Sequence, residues 1–230
     1  MWAKSKKLKG EIWHVFVKWT KKMVKPEIKA IIFDLGGVLV FYDHMLAAKP
    51  MAKLTGISLK KIFRLLSSSG ENSKFSNLVE KGANSQVYWK EAAKELGVKE
   101  LPYKKCNYLW DRIFWPNKRL FAILPKLKKK YKIGLISNLG KVHKKTVSEK
   151  YKLVKLIDYP VYSCDIKLRK PNQKVYKICL SRLKCFPQEV IFIDDIPKNI
   201  KSARKLGINS ILFKTNKQLF KQLKQLGVEV

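Results

Sequence analysis

Apolar residues along the chain follow two rhythms. Short unbroken runs lie at residues 30–34 (Ala-Ile-Ile-Phe-Asp), 133–136, 161–162, 190–193 and 210–213. A strand buried on both faces reads this way, because neither face meets water. Between the runs the spacing becomes that of one face of a helix. Leu120, Phe121, Leu124 and Leu127 precede the second run, and Val175, Tyr176, Cys179 and Leu183 precede the fourth. Strands alternating with helices predict an α/β fold, with a Rossmann-like parallel sheet and helices on both faces.

Two stretches break the alternation. Residues 46–116 carry several helical patterns and no convincing strand. Ser58 caps a run with Leu59, Ile62, Phe63 and Leu66; Ser85 starts one with Tyr88, Ala92 and Leu96, stopped by Gly97. A third run carries Cys106, Leu109, Trp110 and Ile113. The pattern predicts an inserted all-helical cap over 46–116, interrupting a core made of 30–45 and 117–230. Residues 1–29 form a basic extension. Within it Ile12, Val15, Phe16, Trp19 and Met23 fall on one helical face, opposite Glu11, His14, Lys18, Lys21, Lys22 and Lys25. Pro26 ends this pattern, since proline disfavours helix at the residue before it. Such a helix suits packing of its aromatic face on the body of the protein, or weak contact of residues 11–25 with an anionic membrane surface.

Composition changes this picture in one respect. Hydrophobic residues make up 46% of the 230, enough for a sizeable core, but the net charge is +33. An anionic partner is the direct reading: nucleic acid, anionic lipid or a phosphorylated substrate. Only six of the 50 basic residues are arginine, the side chain that pairs bidentately with phosphates and guanine. Nucleic acid is therefore disfavoured, and a lysine-biased proteome explains the charge as well. No apolar run is long enough to span a bilayer. Cys106, Cys164, Cys179 and Cys185 form no CxxC pair, as expected of free thiols in a reducing compartment. The expected location is cytoplasmic.

In parallel α/β sheets, ligands bind beyond the carboxyl ends of the strands. Asp34 ends the first strand and is followed by Leu35-Gly36-Gly37, where glycine lets backbone N–H groups approach an anion. Ser137 and Asn138 end the second, Lys170 follows the third, and Asp194 and Asp195 end the fourth. Three acids and one lysine suit a hard cation beside a phosphate. His14, His44 and His143 are scattered and make no metal set. Asp43 and His44 read as a solvated loop, within reach of a substrate.

These segments resemble the haloacid dehalogenase-like (HAD) hydrolase superfamily over most of residues 30–214. The motifs are Phe33-Asp34-Leu35-Gly36-Gly37-Val38, then Leu135-Ile136-Ser137-Asn138, then Arg169-Lys170-Pro171 with Tyr176. The last is Ile191-Phe192-Ile193-Asp194-Asp195, continuing to Asn199 and Ala203. The helical insertion sits where one class of the superfamily places its cap. The resemblance implies Asp34 as the nucleophile that forms an aspartyl-phosphate. It implies Ser137, with backbone N–H groups around Leu35, Gly36 and Asn138, as the phosphoryl cradle. Lys170 would neutralise nucleophile and phosphate. Magnesium would be held by Asp34, the Gly36 carbonyl and Asp195, with Asp194 beside them.

One position departs from the pattern. Many phosphatases of the superfamily carry a second aspartate at the place of Gly36, which protonates the leaving group and then activates water. A branch resembling bacterial sugar-phosphate phosphatases also opens Asp-Leu-Gly, and a leaving group such as an anomeric oxygen needs less protonation. The expected activity is thus magnesium-dependent hydrolysis of a small phosphorylated metabolite, with a sugar phosphate as one candidate. Two alternatives stand beside it. One is a catalytically weak HAD-fold protein that binds anionic lipid or RNA, and the other is a metal-independent dehalogenase.

Overall fold

Five parallel strands make the main sheet of the computed structural model, which describes residues 26–67 and 73–230. The amphipathic pattern at 11–25 lies outside the described residues. The sheet strands are β1 (Ala30–Phe33), β4 (Lys132–Ser137), β5 (Tyr159–Tyr162), β6 (Val190–Asp194) and β7 (Asn209–Leu212), in the order β5-β4-β1-β6-β7. β1 is central, with Phe33 level with Leu135 on one side and Ile193 on the other. The α/β reading with a parallel sheet is borne out.

Alternation along β1 explains why its sequence is apolar throughout. Ile31 and Phe33 enter one core cluster, and Ala30 and Ile32 enter another on the opposite face. The first cluster is closed by Leu120, Leu124 and Leu127 of α6 (Lys118–Lys130) and by Leu219 and Leu223 of α12 (Asn216–Gln225). The second is closed by Val175, Tyr176, Cys179 and Leu183 of α10 (Gln173–Leu183) and Ala203 of α11 (Pro197–Arg204). Each aliphatic side chain buried in these layers contributes roughly 1.5–3 kcal/mol relative to exposure.

Between β1 and α6 the described residues form five helices: α1 (Met45–Thr55), α2 (Leu59–Ser67), α3 (Lys74–Glu80), α4 (Ser85–Leu96) and α5 (Tyr103–Trp110). They bury a separate cluster that includes Met51, Ile62, Phe75, Trp89 and Trp110. The stretch expected to be wholly helical needs one correction, because it ends in β3 (Phe114–Pro116). This strand pairs antiparallel with β2 (Val40–Tyr42), placing Tyr42 opposite Phe114. Three residues are too few to display a period of two, and the partner lies far away in sequence.

The end of α3 docks on the core between β4 and β5. Ser163 Oγ donates to the Glu80 carbonyl at 2.7 Å, and Arg169 pairs with the Glu80 carboxylate at 3.0 Å. Gly82 has φ +79°, and a Cβ there would lie 2.5 Å from the Cys164 carbonyl, so only glycine fits this approach. Two short helices complete this side: α8 (Leu153–Leu156) and α9 (Ser163–Ile166), with α7 (Lys141–Lys150) before them. All four cysteines are free. Among the described residues no helix is long and apolar enough to cross a membrane.

Candidate active site

The carboxyl ends of β1, β4 and β6 point at one cavity of about 180 Å³ between the sheet and the helical unit. Asp34 follows the last residue of β1. Its Oδ1 lies 2.8 Å from Lys170 Nζ and accepts the Leu35 N–H at 2.6 Å. Lys170 Nζ also donates to Asp194 Oδ2 at 2.6 Å, so one buried ammonium bridges two buried carboxylates. Asp194 is further held by the Ile196 N–H at 2.8 Å and the Asn199 amide at 3.0 and 3.1 Å. Burial raises the Asp34 carboxyl well above its ordinary range, against the pull of Lys170. For Lys170 burial pulls downward, but Asp194 and Asp34 outweigh it, and its pKa is raised. The ammonium is thus a fixed positive charge at neutral pH.

Asp195 is placed differently. Its Oδ1 is buried with no hydrogen-bond partner, and burial followed by the neighbouring Asp194 raises its pKa. Its carboxylate rests on Gly37: a Cβ on that residue, at φ +79°, would lie 2.1 Å from Asp195 Oδ2. Oxygens of Asp34, Asp194 and Asp195 all come within 4.8 Å of one another. A buried carboxylate oxygen without a donor, beside two further carboxylates, is the chemistry of a hard divalent cation site. The donor set fits magnesium.

The remaining expected residues divide into those facing the cavity and those supporting it. Ser137, the last residue of β4, is buried and lines the cavity, as do Gly36 and Asn138. Asn138 uses its side chain on the protein: Oδ1 accepts the Lys170 N–H at 2.8 Å, and Nδ2 donates to the Lys170 carbonyl at 3.0 Å. That clasp fixes the loop carrying the ammonium. The Leu35 side chain packs in the core, and its N–H is engaged by Asp34. Asp43 caps α1 by accepting the Met45 N–H at 2.8 Å.

The sequence pattern missed the other side of the cavity. His44 and His143, read as scattered, both line it, with Tyr42, Phe75, Trp110 and Phe114. Trp110 stacks on Phe75 at 5.3 Å and meets His143 edge-on at 4.5 Å, and Phe114 meets His143 at 5.1 Å. Burial lowers His44 to about 4 and His143 to about 3, so both imidazoles are neutral at pH 7. The forewarning in the sequence was the position of Asp43 and His44, shortly after the Asp34 loop.

Comparison with known proteins agrees with this geometry. A family model described as haloacid dehalogenase-like hydrolase matches residues 31–213. The rat bifunctional epoxide hydrolase 2 is 35% identical over 69 residues, covering 30% of this chain. Flavin mononucleotide hydrolase 1 of Arabidopsis thaliana is 33% identical over 84 residues, covering 36% of this chain. The matches span 12% and 34% of the lengths of those two proteins. Among solved structures, a HAD family enzyme of Bacteroides thetaiotaomicron, in complex with magnesium and inorganic phosphate, superposes with TM-score 0.70 at 25% identity. That superposition covers 84% of this chain and 99% of that one. A HAD-like hydrolase of Porphyromonas gingivalis superposes with TM-score 0.72 at 21% identity, covering 88% and 99%. With the family model spanning most of its length and the strand-end acids in place, the chain belongs to the haloacid dehalogenase-like hydrolase family.

Proposed function

We propose that this protein is a magnesium-dependent phosphomonoesterase of a small phosphorylated molecule, with Asp34 as its nucleophile. The observation that carries the reading is the Asp34–Lys170–Asp194 bridge beside the unpartnered oxygen of Asp195. The Bacteroides enzyme was crystallised with magnesium and inorganic phosphate, and the Arabidopsis relative is named a flavin mononucleotide hydrolase; both facts support the same reaction class here. A magnesium ion held by Asp34, Asp195 and the Gly36 carbonyl would supply positive charge that offsets the dianionic phosphoryl group. Lys170 adds a second positive charge and opposes the upward push of burial on the Asp34 carboxyl. The Ser137 hydroxyl and the loop N–H groups orient the phosphoryl oxygens. Asp34 then forms a bond to phosphorus as the ester P–O bond breaks and the alcohol leaves, and water attacks the aspartyl-phosphate to release inorganic phosphate and restore the Asp34 carboxylate. The helical unit shields this exchange from bulk solvent. Carbon–halogen cleavage needs no cation, so the three converging carboxylates favour the phosphatase reading over it.

The test is turnover of a phosphate ester by the whole protein, with magnesium and with chelator, for the native chain and for Asp34→Asn. Activity should require magnesium and should fall on the order of 10⁴-fold or more in the variant, because an amide is no comparable nucleophile. Unchanged turnover in Asp34→Asn would exclude this mechanism.

A further inference from the structure

In-line displacement at phosphorus sends the leaving oxygen away from Asp34. An alkoxide resembles hydroxide, whose conjugate acid has pKa about 15.7. It leaves well only if a proton reaches it as its bond to phosphorus breaks. Gly36, two residues after the nucleophile, has no side chain to deliver one. A Cβ there would lie 3.1 Å from Tyr42 Cε1 and 3.6 Å from Tyr42 Cδ1, and no other described residue, its chain neighbours aside, comes within 4 Å. The tyrosine ring thus fills the space that a side chain at position 36 would enter.

The surroundings of the hydroxyl are a second, independent observation. The charges of Asp195, Asp34, Lys170 and Asp194 all reach it, so the phenol end of the ring lies at the polar side of the cavity that Tyr42, Asp34 and Ser137 line together. The ring is held in place by its neighbours. Tyr42 stands opposite Phe114 in the β2–β3 ribbon, with ring centroids 6.2 Å apart, and meets His44 edge-on at 5.2 Å. Farther along the wall the polar groups have partners: Glu80 pairs with Arg169 at 3.0 Å, His44 Nδ1 accepts the Trp110 indole N–H at 3.4 Å, and His143 Nε2 lies 3.7 Å from Asp111. A phenol, with an ordinary pKa of about 10, carries its proton at pH 7. It is also a far stronger acid than the alcohol it would protonate.

We propose that Tyr42 is a catalytic residue of this site, whose hydroxyl gives its proton to the ester oxygen that leaves phosphorus. The proposal rests on the phosphatase reading above. In the first step a bond forms between an Asp34 carboxylate oxygen and phosphorus, and the phosphorus–ester oxygen bond breaks. The electron pair stays on the ester oxygen, which takes the Tyr42 proton and departs as the alcohol, leaving a phenolate. In the second step water attacks phosphorus and its proton passes to the phenolate oxygen. The bond between Asp34 and phosphorus breaks, and inorganic phosphate, the Asp34 carboxylate and the Tyr42 phenol result.

Two esters that each carry one ring differ in their need for that proton: p-nitrophenyl phosphate, whose leaving oxygen is stabilised without it, and benzyl phosphate, whose leaving oxygen is an alkoxide. The measurement is the ratio of kcat/KM for the first ester to that for the second, on the whole protein with magnesium. Tyr42→Phe keeps the ring and removes only the hydroxyl. It should raise the ratio by about 100-fold or more, the factor a general acid supplies. His44→Gln, which changes the neighbouring imidazole, should keep the ratio near that of the native chain. An unchanged ratio in Tyr42→Phe, whether both esters slow equally or neither does, would overturn the donor role and leave the phosphatase reading standing. So would an equal rise in His44→Gln, or a native chain that hydrolyses p-nitrophenyl phosphate but not benzyl phosphate. Failure of Tyr42→Phe to fold, read by thermal unfolding, would mark the hydroxyl as structural and overturn the role too. No hydrolysis of either ester by the native chain would overturn the proposal together with the phosphatase reading beneath it.

Discussion

The two sides of the cavity are built on opposite principles. The sheet side is polar and buried: Lys170 lies between Asp34 and Asp194, and Asp194 takes three further hydrogen bonds from Ile196 and Asn199. The side facing the helical unit is led by rings, with His44, His143 and the Glu80–Arg169 ion pair among them. Buried charges are tolerated only when paired at short distance, so few residue types serve at those strand ends. A shell of rings needs volume and shape, and many sequences provide them. The residue types of the polar side are therefore narrowly constrained, and those of the aromatic side are set by volume and shape.

The largest effect should come from removing the bridge itself. Lys170→Met would leave two buried carboxylates without a counter-charge. We expect a loss of stability of about 3–5 kcal/mol, the usual result of breaking a buried pair from one side. Turnover should be lost with it. Guanidinium denaturation and a phosphatase assay check both. A variant as stable as the native chain would show that the bridge is not what holds the sheet side together.

Next in size is a contrast between adjacent acids. Asp194→Ala removes the partner of Lys170, Asn199 and the Ile196 N–H, and should destabilise by about 3 kcal/mol. Asp195→Ala removes a carboxylate whose Oδ1 has no hydrogen-bond partner and should cost under about 1 kcal/mol. It should instead raise the magnesium needed for half-maximal activity by about tenfold or more, because ligand charge sets cation affinity. Magnesium titration and denaturation of both variants read this directly, and the reverse order would exchange the roles assigned to the pair.

The smallest effect concerns the aromatic side and pH. His44 and His143 are lowered from 6.5 to about 4 and about 3 in the folded protein. Their contribution is complete above pH 6.5 and is lost as pH falls, because the unfolded chain then takes up two protons. Asp111, raised by burial from 3.8 to about 6, opposes them by one proton between those values. Asp34 and Asp195, also raised by burial, oppose the histidines in the same sense, so the imidazole contribution is read as a difference between chains: relative to the native chain, His143→Gln should lose less stability as pH falls from about 7.5 to about 5. Identical pH dependence of the denaturation midpoint in the two chains would contradict the neutral, buried state of His143.

Legibility followed burial and local pattern. β1 and β6 could be read because both their faces are covered, which forces an apolar run. β5 was visible only as two residues, since Tyr159 and Pro160 break the run that Val161 and Tyr162 complete. β2 and β3 were invisible, because each exists through pairing with the other across the whole helical unit. At the site, Asp34, Ser137, Lys170, Asp194 and Asp195 were legible as chemistry at strand ends. The clasp of Asn138 on Lys170 was not, because a side chain bonding to a distant backbone leaves no spacing to read.

By itself, then, the sequence determined the sheet, its alternating helices and the charged residues at its carboxyl end. Hydrophobic periodicity and the rarity of buried charge are local constraints, written residue by residue. Tertiary structure alone decided that Tyr42, His44, Trp110, Phe114 and His143 share one wall of the cavity. It also decided that Asp194 supports Lys170 while Asp195 keeps an oxygen without a donor. Those facts depend on the pairing of β2 with β3, the docking of Glu80 on Arg169 and Ser163, and the turn after β6. Each joins segments far apart in the chain or turns on the direction of a single side chain, and no local pattern encodes either.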